Sequence, residues 1–133
     1  MIEEINIIIS WYIKLPKDYN NVTELIFNRQ QLAGLMFAYT GEVGENRKAW
    51  NRSQATYETE LVKWEMRSTQ NSTKAKIEAK ANTSNLMKQM KEFEGEYYAS
   101  KENLESIREV LNSFSQSIAF ARQEWSSKNF QSM

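Results

Sequence analysis

The chain has 133 residues, enough for one domain with its own core but short for two ordinary ones. Seventeen Lys plus Arg balance seventeen Asp plus Glu, so no overall field draws the protein to nucleic acid or to an anionic membrane, and any electrostatic function must come from how charge is distributed. The lack of Cys and His excludes disulfides, thiol nucleophiles, Cys/His zinc sites and imidazole acid–base chemistry, so neither an enzyme nor a bound metal or cofactor is expected.

The opening "MIEEINIIIS" carries acids where a secretory signal needs basic residues, and its apolar run is short and interrupted by Asn6 and Ser10. The expectation is a cytoplasmic protein with no membrane contact. The Asn-x-Ser/Thr triplets at Asn21, Asn51, Asn71 and Asn82 are then chance products of a chain rich in these residues. The N-terminal segment, residues 1–17, is dense in β-branched and aromatic residues. A short amphipathic helix is the first reading and an added strand the second, because so short a run does not settle the period.

"LPKDYNN" breaks the chain, and a helix is expected over 22–67. Val22, Met36, Val43, Trp50, Tyr57 and Trp64 mark a seven-residue row, with Leu25, Leu32 and Tyr39 in the companion position. Asn46 and Ser53 weaken that second row before Leu61 resumes it out of step. Gly41 and Gly44 are close enough together to kink or divide the helix.

A turn over 68–73 follows, within "STQNST", and then a second long helix over 74–127. Its signal is the stronger: Leu86, Met90, Phe93, Tyr97, Ser100, Leu104, Ile107, Leu111, Phe114, Ile118, Ala121 and Trp125 alternate by four and three residues without a skip. At 1.5 Å per residue such a helix is on the order of 80 Å long, which implies an elongated molecule. With so few residues to reverse the chain, the two helices must lie antiparallel. The fold class is all-α: a long antiparallel helical hairpin of coiled-coil type with a short N-terminal segment, in a single elongated domain.

Two helices cannot bury four Trp, six Tyr and six Phe between themselves. Homo-oligomerisation solves this, with an assembly end that uses Ile8, Trp11, Leu104, Ile107, Leu111, Phe114, Ile118 and Trp125, and with Phe130 nearby. A monomeric three-helix bundle with the N-terminal segment as third helix is the alternative.

Charge is segregated along this hairpin. Lys63, Arg67, Lys74, Lys76, Lys80, Lys88 and Lys91 face only Glu65 and Glu78 in the same stretch, so the tip is basic, while Glu92, Glu94, Glu96, Glu102, Glu105 and Glu109 follow on the returning helix. Phosphate binding uses such an arrangement, because each neutralised phosphate releases condensed counterions without any base-specific contact. A solvated face that keeps the hairpin soluble is the plainer explanation. Trp50, Tyr57 and Trp64 could stack single-stranded bases, yet their spacing is what a buried seam produces, and Trp64 is the one expected to be partly exposed. "YTGEVGEN" has neither the preceding strand nor the following Lys-Ser/Thr of a phosphate loop.

The succession from "LAGLMFAYTGEVGENRKAWNRSQATYETELVKWEMRS" to "NSTKAKIEAKANTSNLMKQMKEFEGEYYASKENLESIREVLNSFSQSIAFARQEW" resembles small helical proteins of bacteriophage early regions, which are encoded near single-strand-binding proteins and recombinases. In layout it is remotely similar to recombination mediators of the UvsY type, over roughly residues 30 to 126. The resemblance implies an oligomeric accessory protein that binds single-stranded DNA and helps load a recombinase over a single-strand-binding protein. It places the basic segment at Lys63, Arg67, Lys74, Lys76 and Lys80, and the assembly helix from Leu104 to Trp125. This chain departs from the pattern in a tip that is Asn/Ser/Thr-rich and only moderately basic. The function expected is therefore DNA recombination or replication, with Trp64, Lys88 and Lys91 added to the DNA-binding set. A coiled-coil adaptor or host-protein inhibitor without nucleic-acid affinity is the alternative.

Overall fold

A computed structural model of the chain describes residues 1–67 and 71–131, with side chains as far as Glu124. The described residues form four helices and no strand: α1 (Ile2–Ile13), α2 (Val22–Arg67), α3 (Ser72–Asn82) and α4 (Ser84–Gln131). The protein is all-α, and its two long helices, α2 and α4, pack against each other as a hairpin.

The N-terminal segment is a helix. Glu3 and Glu4 lie in the first turn of α1, where carboxylates oppose the helix dipole. The helix stops at Ile13, three residues before Pro16, whose ring disfavours helical geometry in the residue preceding it. The start of α2 is set by reciprocal polar contacts. The Asn21 side-chain oxygen accepts from the Glu24 amide at 3.1 Å, its Nδ2 donates to Glu24 Oε2 at 3.3 Å, and the Tyr19 hydroxyl donates to the same carboxylate oxygen. Burial of the Tyr19 phenol, reinforced by this hydrogen bond and the Glu24 charge, pushes its pKa up from 10.0 to about 12.

From there α2 runs as one helix to Arg67, through Gly41 and Gly44. The anticipated division at the glycines does not occur, because neither has a positive φ and a helix tolerates their entropic cost once tertiary packing holds it. The expected single helix over 74–127 is instead two. α3 begins at Ser72, capped by Asn71 Oδ1, which accepts from the Lys74 amide at 3.0 Å. It ends at Asn82, and Thr83 stands between α3 and α4 with φ −108° and ψ 10°. The Thr83 hydroxyl donates to the Ala79 carbonyl at 2.7 Å, and the Thr83 amide donates to the same oxygen at 3.0 Å. The turn expected over 68–73 lies outside the described residues for 68–70, and Ser72 already belongs to α3.

Two compact units are present. Unit 1 joins Met1–Gly41 to the C-terminal residues from Glu102 onward, and unit 2 is Glu42–Lys101. Unit 1 is a three-helix arrangement whose centre is Phe114, fully buried at 0% exposure. Trp11 stacks on Phe114 with ring centroids 6.3 Å apart, Tyr12 lies 4.3 Å from it, and Tyr12 and Ser117 share a hydrogen bond of 2.7 Å. Leu25, Leu32, Tyr39, Leu104, Ile107, Leu111 and Ile118 complete that core, and Asn103 Nδ2 donates to the Tyr39 hydroxyl at 3.2 Å. In unit 2 the seam is looser, with Val43 buried and Asn46, Trp50, Ser53 and Tyr57 half-buried on α2, facing Leu86, Met90, Phe93 and Tyr97 on α4. Asn46 and Ser53 thus continue the companion row in a weaker form, half-buried where Leu25, Leu32 and Tyr39 are buried.

Candidate nucleic-acid interface

The basic residues of unit 2 are carried by three helices. Lys63, Trp64 and Arg67 close α2, Lys74, Lys76 and Lys80 lie on α3, and Lys88 and Lys91 lie on the first turns of α4. Arg67 and Ser72 are five residues apart, so the end of α2 and the start of α3 are held within about 18 Å by chain length alone. Ala75 and Ala79 turn inward on α3, with Thr83 one further turn along at 0% exposure. That fixes the rotation of the helix. Lys76 and Lys80, one turn apart, share an exposed flank, Lys74 lies on the other, and Ile77 sits between them at 64% exposure. Sequence reading passed over Ile77; its signal was an apolar residue three positions from lysines on both sides.

Ion pairing separates the cations into two groups. Lys63 Nζ lies 3.4 Å from Glu60, and Lys91 Nζ lies 3.6 Å from Glu94, both pairs within one helix. Among the described residues, Lys74, Lys76, Lys80 and Lys88 make no ion pair. Surface pairs of the first kind contribute little and exchange readily with water or another anion. The Arg67 guanidinium sits 5.7 Å from the centroid of the Trp64 ring, and Trp64 is 36% exposed. The other two aromatics of that row are half-buried. Trp50 stacks on Tyr97 at 5.5 Å and 28°, and contacts Tyr98 at 5.6 Å, so its face is occupied from within the chain. Of the three aromatics, Trp64 is the one open enough to receive a base.

Residues expected at an assembly end are covered within the chain itself. Leu104, Ile107, Leu111, Phe114 and Ile118 are buried in unit 1, and Ile8 and Trp11 are half-buried beside them. The Trp125 and Phe130 side chains lie outside the described residues. Unit 1 leaves Ile7, Ile13, Phe27, Phe37 and Phe120 exposed. No group of His, Cys, Asp and Glu among the described residues could hold a metal ion, and no described helix is long and apolar enough to cross a membrane.

No protein-family model, curated protein or solved structure matches this chain.

Proposed function

We propose that the protein is a non-enzymatic accessory factor that binds single-stranded nucleic acid through the basic surface of residues 63–91. The observation that carries this reading is the set of exposed lysines Lys74, Lys76, Lys80 and Lys88, which make no ion pair among the described residues, in the same unit as an exposed Trp64 with the Arg67 guanidinium over its ring. Exposed lysine ammonium groups supply the counterion-release term, and one aromatic adds a stacking platform that tolerates any base. In the setting implied by the resemblance to phage early-region proteins and UvsY-type mediators, this factor assists recombinase loading on DNA coated by a single-strand-binding protein, in the host cytoplasm. Homo-oligomerisation belongs to the same reading and is supported by Ile7, Ile13 and Phe120, which are large, apolar and exposed on unit 1.

A second reading has an observation of its own. Val62, Met66, Ile77 and Met87 are exposed among the lysines of unit 2, and an apolar surface of this kind suits a protein partner better than a phosphate chain. In that case the chain is a helical adaptor or an inhibitor of a host protein. Fluorescence polarisation of a labelled oligothymidylate separates the two. Binding at low salt that weakens steeply as salt is added supports the nucleic-acid reading, and no binding at low salt excludes it in favour of the adaptor.

A further inference from the structure

Unit 1 holds a second basic feature that the surface of residues 63–91 does not include. Residues 25–41 of α2 contain one charged side chain, Arg29, and residues 110–123 of α4 contain one, Arg122. Both line the same groove of about 330 Å³, together with Ile26, Gln30, Ser115 and Ile118. Arg29 Nε donates to Ser115 Oγ at 2.9 Å, which brings the guanidinium to α4 and leaves its terminal nitrogens geometrically able to donate elsewhere. Among the described residues, no carboxylate pairs with either arginine. Ile118 is buried at the floor and Ile26 is half-buried, whereas Gln30, Ser115 and Arg122 are exposed, so the groove is open along its rim.

We infer that this groove is a docking site for an acidic amphipathic helix of a partner protein. The chemistry follows from what the groove presents. An isoleucine floor receives an apolar stripe, and two guanidiniums on opposite helices receive carboxylates on its two flanks, as forked donors matched to carboxylate geometry. A nucleic-acid backbone would use the arginines and leave the isoleucine floor uncovered. A second copy of this chain docking face to face would set guanidinium against guanidinium. A small molecule would remain largely in water in so open a groove.

The site is tested with the full chain and a set of fluorescent helical peptides that carry one apolar stripe and paired glutamates one or two turns apart. Polarisation is expected to detect binding by members whose glutamates flank the stripe. Replacing those glutamates by glutamine, or changing Arg29→Gln and Arg122→Gln in the protein, should each weaken binding about tenfold or more, the scale of a lost charge-assisted hydrogen bond. The peptide substitution reads the same contact without altering the protein, so misfolding of the arginine variant cannot mimic the result. Binding should be unchanged by Lys74→Ala, Lys76→Ala and Lys80→Ala, which separates this site from the nucleic-acid surface. The inference is overturned if no acidic peptide binds at low salt, if the glutamine peptides bind equally well, or if oligothymidylate binding is what the arginine variants abolish.

Discussion

The Trp50 indole stacks on the Tyr97 ring at 5.5 Å with the planes 28° apart, joining α2 to α4 across unit 2. This contact decides which aromatic of the Trp50, Tyr57 and Trp64 row is available for binding. A ring already stacked within the chain cannot receive a base without breaking that contact.

Trp50→Ala is therefore a stability variant. Trp50 is half-buried, so the loss should fall near or below the low end of the roughly 3–5 kcal/mol measured for buried Trp-to-Ala changes. Urea unfolding followed by far-UV circular dichroism reads that loss, and oligonucleotide affinity measured on the folded fraction should stay at the wild-type value.

Phe114→Ala is expected to be the more damaging change, at about 3–5 kcal/mol, because a fully buried ring touched by both Trp11 and Tyr12 leaves a cavity that α1 cannot fill. Tyr12→Phe keeps that ring contact and loses only the hydrogen bond with Ser117, at about 1 kcal/mol. The ratio of these two losses in urea titrations measures how far packing outweighs polar contact in docking α1.

Gly41→Ala and Gly44→Ala should each stabilise the protein. Both glycines are helical and exposed, and an added Cβ meets nothing within 4 Å. The gain is about 0.4–1 kcal/mol per site, from reduced freedom of the unfolded chain. A rise in melting temperature in each single variant checks it, and a fall would show that the flexibility of this stretch matters to the fold.

The phenol of Tyr19 gives an alkaline signature. Its folded-state pKa, raised to about 12, exceeds the ordinary value of 10.0, so the unfolded chain loses this proton first. The stability it contributes is present in full below pH 10 and is lost as pH rises from about 10 through about 12. The difference in unfolding free energy between wild type and Tyr19→Phe should shrink across that interval, and a difference independent of pH would contradict the raised pKa.

Much of this architecture was legible in the spacing of apolar residues. The row from Leu86 to Ala121 reads directly as the buried or half-buried side of α4, and the "LPKDYNN" breaker marks the start of α2 at Val22. What escaped is local. The interruption at Thr83 rests on one residue's backbone angles, which periodicity does not encode, and Gly41 and Gly44 pass through α2 without a break because packing overrides propensity. Asn46 and Ser53 looked like flaws in a seam, yet half-buried small polar side chains serve there beside bulky aromatics. At the candidate site, the basic run was visible as composition, but its division into paired Lys63 and Lys91 and lysines with no ion pair among the described residues depends on side-chain geometry, since Lys74 and Lys88 also have a glutamate one turn on, at Glu78 and Glu92. Arg29 and Arg122 are far apart in sequence, and only the antiparallel packing of α2 and α4 brings them to one groove.

The central claim is that the α3 surface binds phosphates, and its most direct measurement is the salt dependence of oligothymidylate affinity for wild type and for the Lys74→Ala, Lys76→Ala, Lys80→Ala triple variant. Each phosphate contact on a single strand contributes about 0.7 to the slope of log affinity against log salt, so removing three should flatten it by about 2. Equal slopes in the two proteins, or no binding by wild type at low salt, would contradict the account.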